Sequence, residues 1–281
     1  MHGPGILART LTVPMLKGKE ALWQYHPRSD HHSKVACWGI LFDLLQHSKL
    51  LREHVASGRL VFGINQEMSD FRTGRKKNLD LVLARPSSGT MAKPLTFRSL
   101  VTKWGILLDP DQSRLLEELP DAVQHPVSAT SVQIALEAKA CMTEHGKARP
   151  RLYDELNSSH DAVHGSAEMA IAAGFVMVNI AKQFISPELN KSGGVIRVTD
   201  HKQPRVTESV IEKVLEIPRR ASTSAQGFDA LAIVVVDCAN DGVTPVRIVE
   251  EPPAPEPGNP VHYDSMIARV VQLYESRFPH A

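Results

Sequence analysis

Cysteine is scarce in this chain of 281 residues. Cys37, Cys141 and Cys238 are its only three, far apart and without a CxxC pair. This argues against a disulfide framework and fits reduced thiols in a cytoplasmic protein. Aromatic residues are also few: three Trp, four Tyr and eight Phe, with no evident platform for stacking single-stranded bases. No apolar run approaches the roughly 18 residues of a membrane span. The opening "MHGPGILARTLTVP" lacks a signal-peptide core. A soluble, intracellular protein with no membrane partner is expected. The net charge is only +1, so any nucleic-acid partner must be held by a local patch rather than by the total. GxxxxGK[ST], GxGxxG, HExxH, GxSxG and Cys/His arrays are all missing, which leaves nucleotide-driven translocation and dinucleotide redox chemistry without support.

What is present is an alternation of helical and strand patterns. Residues 34–56 carry Val35, Trp38, Leu41, Phe42, Leu45 and Val55 at roughly helical spacing, with Ser33 as a plausible cap. Strands are expected at 59–65 and 78–84, a loop at 85–96, a helical piece around 111–123 and a strand at 131–141. A helix follows over 150–166, with Pro150 in its first turn and Gly165 as its stop. Further strands are expected at 174–180 and 228–238, the latter carrying Ile233 to Val236 buried on both faces. A helix lies near 207–217 between them. This order predicts one α/β domain over 1–249, a mixed central β-sheet flanked by helices, with its core at about 34–180 plus 228–238. Residues 250–260, with five prolines and three glutamates, read as a linker to an amphipathic helix at 261–281. That helix carries Ile267, Val270, Val271, Tyr274 and Phe278 in one stripe, a plausible dimer contact.

The most informative stretch is "VQIALEAKACM", 132–142, which alternates like a core strand yet holds Glu137 and Lys139. Ile134, Leu136, Ala138 and Ala140 share one face, and Glu137 and Lys139 the other. Burying such charges costs several kcal/mol unless they are paired or bind a metal. In "NLDLVLA", 78–84, Leu79, Leu81 and Leu83 take one face and Asp80 shares the other with Val82. Two carboxylates brought together recruit a cation or raise each other's pKa. Oxygen ligands of this kind suit Mg²⁺, and a lysine beside them can hold the attacking water and steady developing charge. That set meets the needs of metal-assisted phosphodiester hydrolysis.

Asp80, 56 intervening residues, then Glu137-Ala138-Lys139, on adjacent expected strands, resembles the PD-(D/E)XK nuclease superfamily. The context of helix, "LDLVLA", "ALEAKAC", helix is most similar to type II restriction endonucleases. The resemblance covers about half the chain, residues 34–180, and Leu79 stands where the family has a proline. It implies a restriction-endonuclease-like core and a Mg²⁺-dependent endodeoxyribonuclease, with Mn²⁺ able to substitute. Asp80 and Glu137 would hold the metal, and Lys139 would position or activate the nucleophilic water. Double-stranded DNA would be the substrate, a homodimer the working form, and defence of a prokaryotic cell against foreign DNA the role. A nonspecific or signal-activated effector nuclease is the alternative, or a catalytically silent nuclease-fold protein that binds nucleic acid.

Two basic clusters flank the motif strands: Arg72, Arg75, Lys76 and Lys77 before Asp80, and Lys147, Arg149 and Arg151 after the strand of Glu137. They are candidate DNA-backbone contacts, with Lys77 expected nearest the scissile phosphate. Lys202, Arg205, Arg219 and Arg220 are weaker candidates for base reading. Glu20, Asp43 and Glu67 are candidate auxiliary carboxylates. His160 and His164 share a helical face, with His160 the one expected nearer the cleft.

Overall fold

Alternating apolar strands and amphipathic helices sort into layers because each needs a second surface on which to bury its apolar face. The computed structural model describes residues 1–17, 21–71, 73–191 and 195–280. In chain order, α1 (Gly3–Thr12) leads to β1 (Met15–Lys17) and β2 (Ala21–Trp23), then α2 (His31–His47) and α3 (Lys49–Ala56). Strands β3 (Val61–Ser69) and β4 (Lys76–Ala84) precede α4 (Ser99–Trp104) and α5 (Pro110–Glu118). Then come β5 (Val132–Cys141), α6 (His145–Ser166) and β6 (Ile171–Asn179), followed by β7 (Gln183–Phe184) and β8 (Thr199–Asp200). Helix α7 (Arg205–Leu215), β9 (Ala230–Asp237), β10 (Arg247–Val249) and α8 (Tyr263–Arg277) complete the described elements.

Six strands form the central sheet in the order β10-β9-β6-β5-β4-β3. Strands β5, β6 and β9 run parallel, while β3, β4 and β10 pair antiparallel, so the sheet is mixed. One face packs on α1, α2 and α8 through residues such as Trp38, Phe42, Leu136, Val234 and Ile267. The other packs on α6 and α7 through Leu156, Val163, Val210 and Ile233. The expected fold class, an α/β core with a mixed sheet between helices, is the one observed. Strand β9 is covered on both faces, with Ala232, Val234 and Val236 in the first cluster and Leu231, Ile233 and Val235 in the second. Among the described residues, no helix is long and apolar enough to cross a membrane.

Several local expectations need correction. The helix expected over 34–56 is two helices, because Ser48 ends α2 in an extended conformation and its side chain then caps α3 by accepting from Leu51 N–H. Ser33 is not the cap of α2; Asp30 holds that position, and Ser33 Oγ is engaged elsewhere. Pro150 lies inside α6, which begins five residues earlier, at His145. The apolar stripe of α8 is not left for a partner. Met266, Ile267, Val270, Leu273 and Tyr274 are buried in this chain's own core, and Ala254 and Val261 of the proline-rich segment are buried as well.

Candidate active site

Strand alternation breaks where the acidic pair is built. Leu81 and Leu83 face the α2 layer as expected, but Leu79 joins Val82 and Ala84 on the α6 side. Opposite Asp80, Asn65 adopts a left-handed backbone with φ of 51°, and the β3–β4 pairing passes from Ile64↔Leu81 to Gln66↔Leu79 without it. The β4–β5 ladder also stops at Leu81↔Leu136, one residue short of an Asp80–Glu137 pair. There the Asp80 side chain stands in for the missing ladder. Its Oδ2 accepts from Ala138 N–H at 2.9 Å, and its Oδ1 accepts from Ser33 Oγ on α2 at 2.9 Å. Burial pushes the Asp80 carboxyl above its usual range, with those hydrogen bonds and Lys139 opposing.

Glu137 lies on an interior strand and is only 2% exposed. Lys139 Nζ stands 2.7 Å from its Oε1. The ammonium engages Oε1, while Oε2 is buried with no hydrogen-bond partner among the described residues. Burial raises the Glu137 carboxyl, Lys139 opposes, and the nearby Asp80 charge adds to the rise. For Lys139 the balance runs the other way. Burial would lower its ammonium pKa, but Glu137, Asp80 and Glu155 outweigh burial and leave it raised. Cys37, buried on α2, borders the same site; burial raises its thiol strongly, and the charges of Asp80 and Glu137 add to this.

Glu155 of α6, which the sequence reading did not single out, completes the ring. Its Oε2 is 3.7 Å from Lys139 Nζ and its Oε1 accepts from Arg151 Nε at 2.6 Å. The only sequence signal for it was the unusual polarity of the helix that follows the motif strand. Lys77 is half-buried at the start of β4, and its charge lowers both Glu137 and Glu155. The structure therefore brings Asp80, Glu137, Lys139 and Lys77 together and adds Ser33 and Glu155.

Other expected residues are elsewhere or already engaged. Lys76 pairs with Glu67 at 2.9 Å on the outer hairpin. Lys147 pairs with Glu144 at 2.7 Å, while Arg75 is exposed and Arg149 half-buried. Arg220 is buried among the carbonyls of Glu168 and Ser222 beside Asp229, and cannot reach a base. His160 packs edge-on against Phe228, and burial holds its pKa down to about 4. His164 bonds Asp229 Oδ2 at 3.0 Å, so the two histidines form no metal grip. Glu20 and Arg72 lie outside the described residues.

Asp43 is structural. It is fully buried on α2 and accepts from His2 N–H and Gly3 N–H at the start of α1, and from the Tyr263 hydroxyl of α8. Asp43→Ala would leave three donors unpaired, each worth about 1–3 kcal/mol when buried. We expect that variant to melt well below the wild type in a thermal unfolding scan.

Among the described residues, no group of three or more His, Cys, Asp and Glu side chains is arranged to hold a metal. Mg²⁺ asks for less, since it typically keeps several waters and takes one or two carboxylates plus substrate phosphates. Asp80 and Glu137 fit that smaller set, and the open lone pairs of buried Glu137 are the feature a cation would satisfy. The fold and site thus define a mixed α/β protein with a buried acid–acid–lysine cluster at a splayed strand pair. Compared with protein-family models, curated proteins and solved structures, the chain matches none of them.

Proposed function

We propose that this protein is a Mg²⁺-dependent endonuclease that hydrolyses phosphodiester bonds of double-stranded DNA, of restriction type and acting in defence. The observation that carries this reading is a carboxylate pair at the parting of two central strands, with a lysine ammonium 2.7 Å from one of its members. The Lys139 ammonium offsets part of the cost of burying two carboxylates, and a bound cation would offset the rest. The bound cation would polarise the phosphoryl oxygen and lower the pKa of a bound water. Asp80 and Glu137 would hold it. Lys139, kept protonated by its three acidic neighbours, would orient water and stabilise charge on the phosphate rather than abstract a proton. Of the two roles the resemblance implies for this lysine, positioning is the one its environment favours. Glu155 holds Lys139 from the second side, and Lys77 would meet the approaching phosphate. Action as a homodimer follows from the need to cut two strands, through a surface other than the buried face of α8.

The test is purified protein on plasmid and phage DNA with Mg²⁺ or with EDTA, beside Asp80→Ala. We expect discrete fragments with Mg²⁺ only, lost in the variant. A smear would make the protein a nonspecific effector nuclease. Intact DNA with binding retained would leave a silent nuclease fold, and intact DNA without binding would overturn the reading.

A further inference from the structure

A second feature adjoins the acidic site through one turn of helix. Ser33, which donates to Asp80, directly follows His31 and His32, and these two line a cleft of about 130 Å³ with Met15, Trp23, Tyr25 and His26. Neighbouring Cα atoms are only about 3.8 Å apart, so the cleft and the acidic pair share the first turn of α2. His32 is close enough to Lys139 to feel its charge. The Tyr25 and His32 rings lie 5.2 Å apart and tilted by 56°. His31 Nε2 and His32 Nδ1 are both buried and have no hydrogen-bond partner among the described residues. Two unpartnered ring nitrogens beside an aromatic-walled cleft call for a ligand that is flat and carries hydrogen-bonding edges.

We propose that this cleft receives one unstacked nucleobase of the substrate, next to the phosphate that is cut. The proposal rests on the nuclease reading. Its size argues for a single ring system, since an engineered cavity of about 150 Å³ in another protein holds benzene. Each imidazole can present a donor or an acceptor to a base edge, and bases taken out of a helix are gripped between aromatic side chains in this manner. Burial, with the charges of Lys139 and His31, holds His32 down to about 4, against the pull of the Ser29 backbone and Asp30. Its imidazole is therefore neutral at pH 7 and able to accept.

The experiment is calorimetric titration in EDTA of the wild type with the four deoxynucleoside 5′-monophosphates and with deoxyribose 5-phosphate, which has no base. Two variants are titrated alongside. Met15→Trp fills the cleft from a side chain that is 41% exposed, and His31→Leu removes one of the two free ring nitrogens. We expect nucleotides to bind at least about 10-fold more tightly than the sugar phosphate, the scale of one base-stacking contact, and both variants to lose that difference. Equal binding of nucleotides and sugar phosphate overturns the proposal, as does base-dependent binding that survives Met15→Trp. DNA cleavage by the same preparation separates the two readings. Cleavage without base-dependent binding removes the cleft alone; base-dependent binding without cleavage removes the nuclease and keeps the cleft.

Discussion

Glu137→Gln should abolish the proposed Mg²⁺-dependent cleavage and at the same time raise the melting temperature. Removing one preorganised electrostatic contact from a reaction centre costs about 10²–10³ in rate, and Glu137 would be a metal ligand as well. The stability effect has the opposite sign. Glutamine fills the same space, removes a charge from a residue that is 2% exposed, and ends its repulsion with Asp80. Lys139 is left with Glu155 at 3.7 Å and with partial access to water. Lys139→Ala should lose cleavage by a similar factor but unfold more easily, because it leaves Glu137 buried and unpaired. Breaking a buried pair from one side costs about 3–5 kcal/mol, reduced here to the extent that Glu137 takes up a proton. Because burial holds the Glu137 carboxyl above its usual range, the folded state binds that proton more tightly than the unfolded chain. The contribution of Glu137 to stability therefore falls as pH rises through its folded pKa. Differential scanning calorimetry of the three proteins at pH 5 and pH 8 checks both signs. A destabilised Glu137→Gln would mean that the carboxylate is structural.

The second large effect lies two strands away, at Asp229. This carboxylate receives Arg277 Nη2 at 2.6 Å, His164 Nε2 at 3.0 Å and Ala172 N–H at 2.9 Å, with Arg220 Nη1 at 3.9 Å. Asp229→Ala strands the buried Arg220 and half-buried Arg277 guanidinium groups and should cost about 3–5 kcal/mol. At about 2–4 °C per kcal/mol for a chain approaching this size, the melting temperature should fall by about 10 °C or more. Asp229→Asn keeps a hydrogen-bond acceptor and should fall between the two. Burial pushes the Asp229 carboxyl up, but the bonds from His164, Arg277 and Ala172 outweigh it and leave it below the usual range. Its stabilisation is therefore complete above the ordinary carboxylate pKa and is lost as pH falls through the lower folded value, opposite in sign to Glu137. An Asp229→Ala melting curve that overlays the wild type would show the cluster to be idle.

The acid–acid–lysine set was legible because its signal is local: a charged residue breaking the pattern of an apolar strand, twice. Five of the six central strands were legible from local apolar patterns, with β5 and β9 recovered almost to the residue, while β10 and the short paired strands were not. The break at Ser48 was not, since apolar spacing continues across it and only the serine's capping bond ends one helix and starts the next. Ser33 and Glu155 were not legible either. Each acts on a residue from another part of the chain, Asp80 for the first and Lys139 for the second, and periodicity carries no record of such partners. The partners of two cations were also open to reading. Lys147 and Arg151 have acids three and four positions away that engage them at once, and such i,i+3 and i,i+4 pairs can be weighed from sequence. The stripe of α8 shows the limit of amphipathic patterns, which identify a face to be covered but not what covers it.

The Asp43 carboxylate has a consequence for how the molecule is made. It joins the start of α1 to α2 and to Tyr263 of α8, so a segment near residue 3 is tied to α2 early and to the last helix only after residue 263 has been synthesised. Contacts of such sequence separation close slowly and late. A nascent chain on the ribosome can assemble β3 to β6 while the layer behind them is still missing its last helix. The acid pair would then rest on a half-built support until translation passes α8.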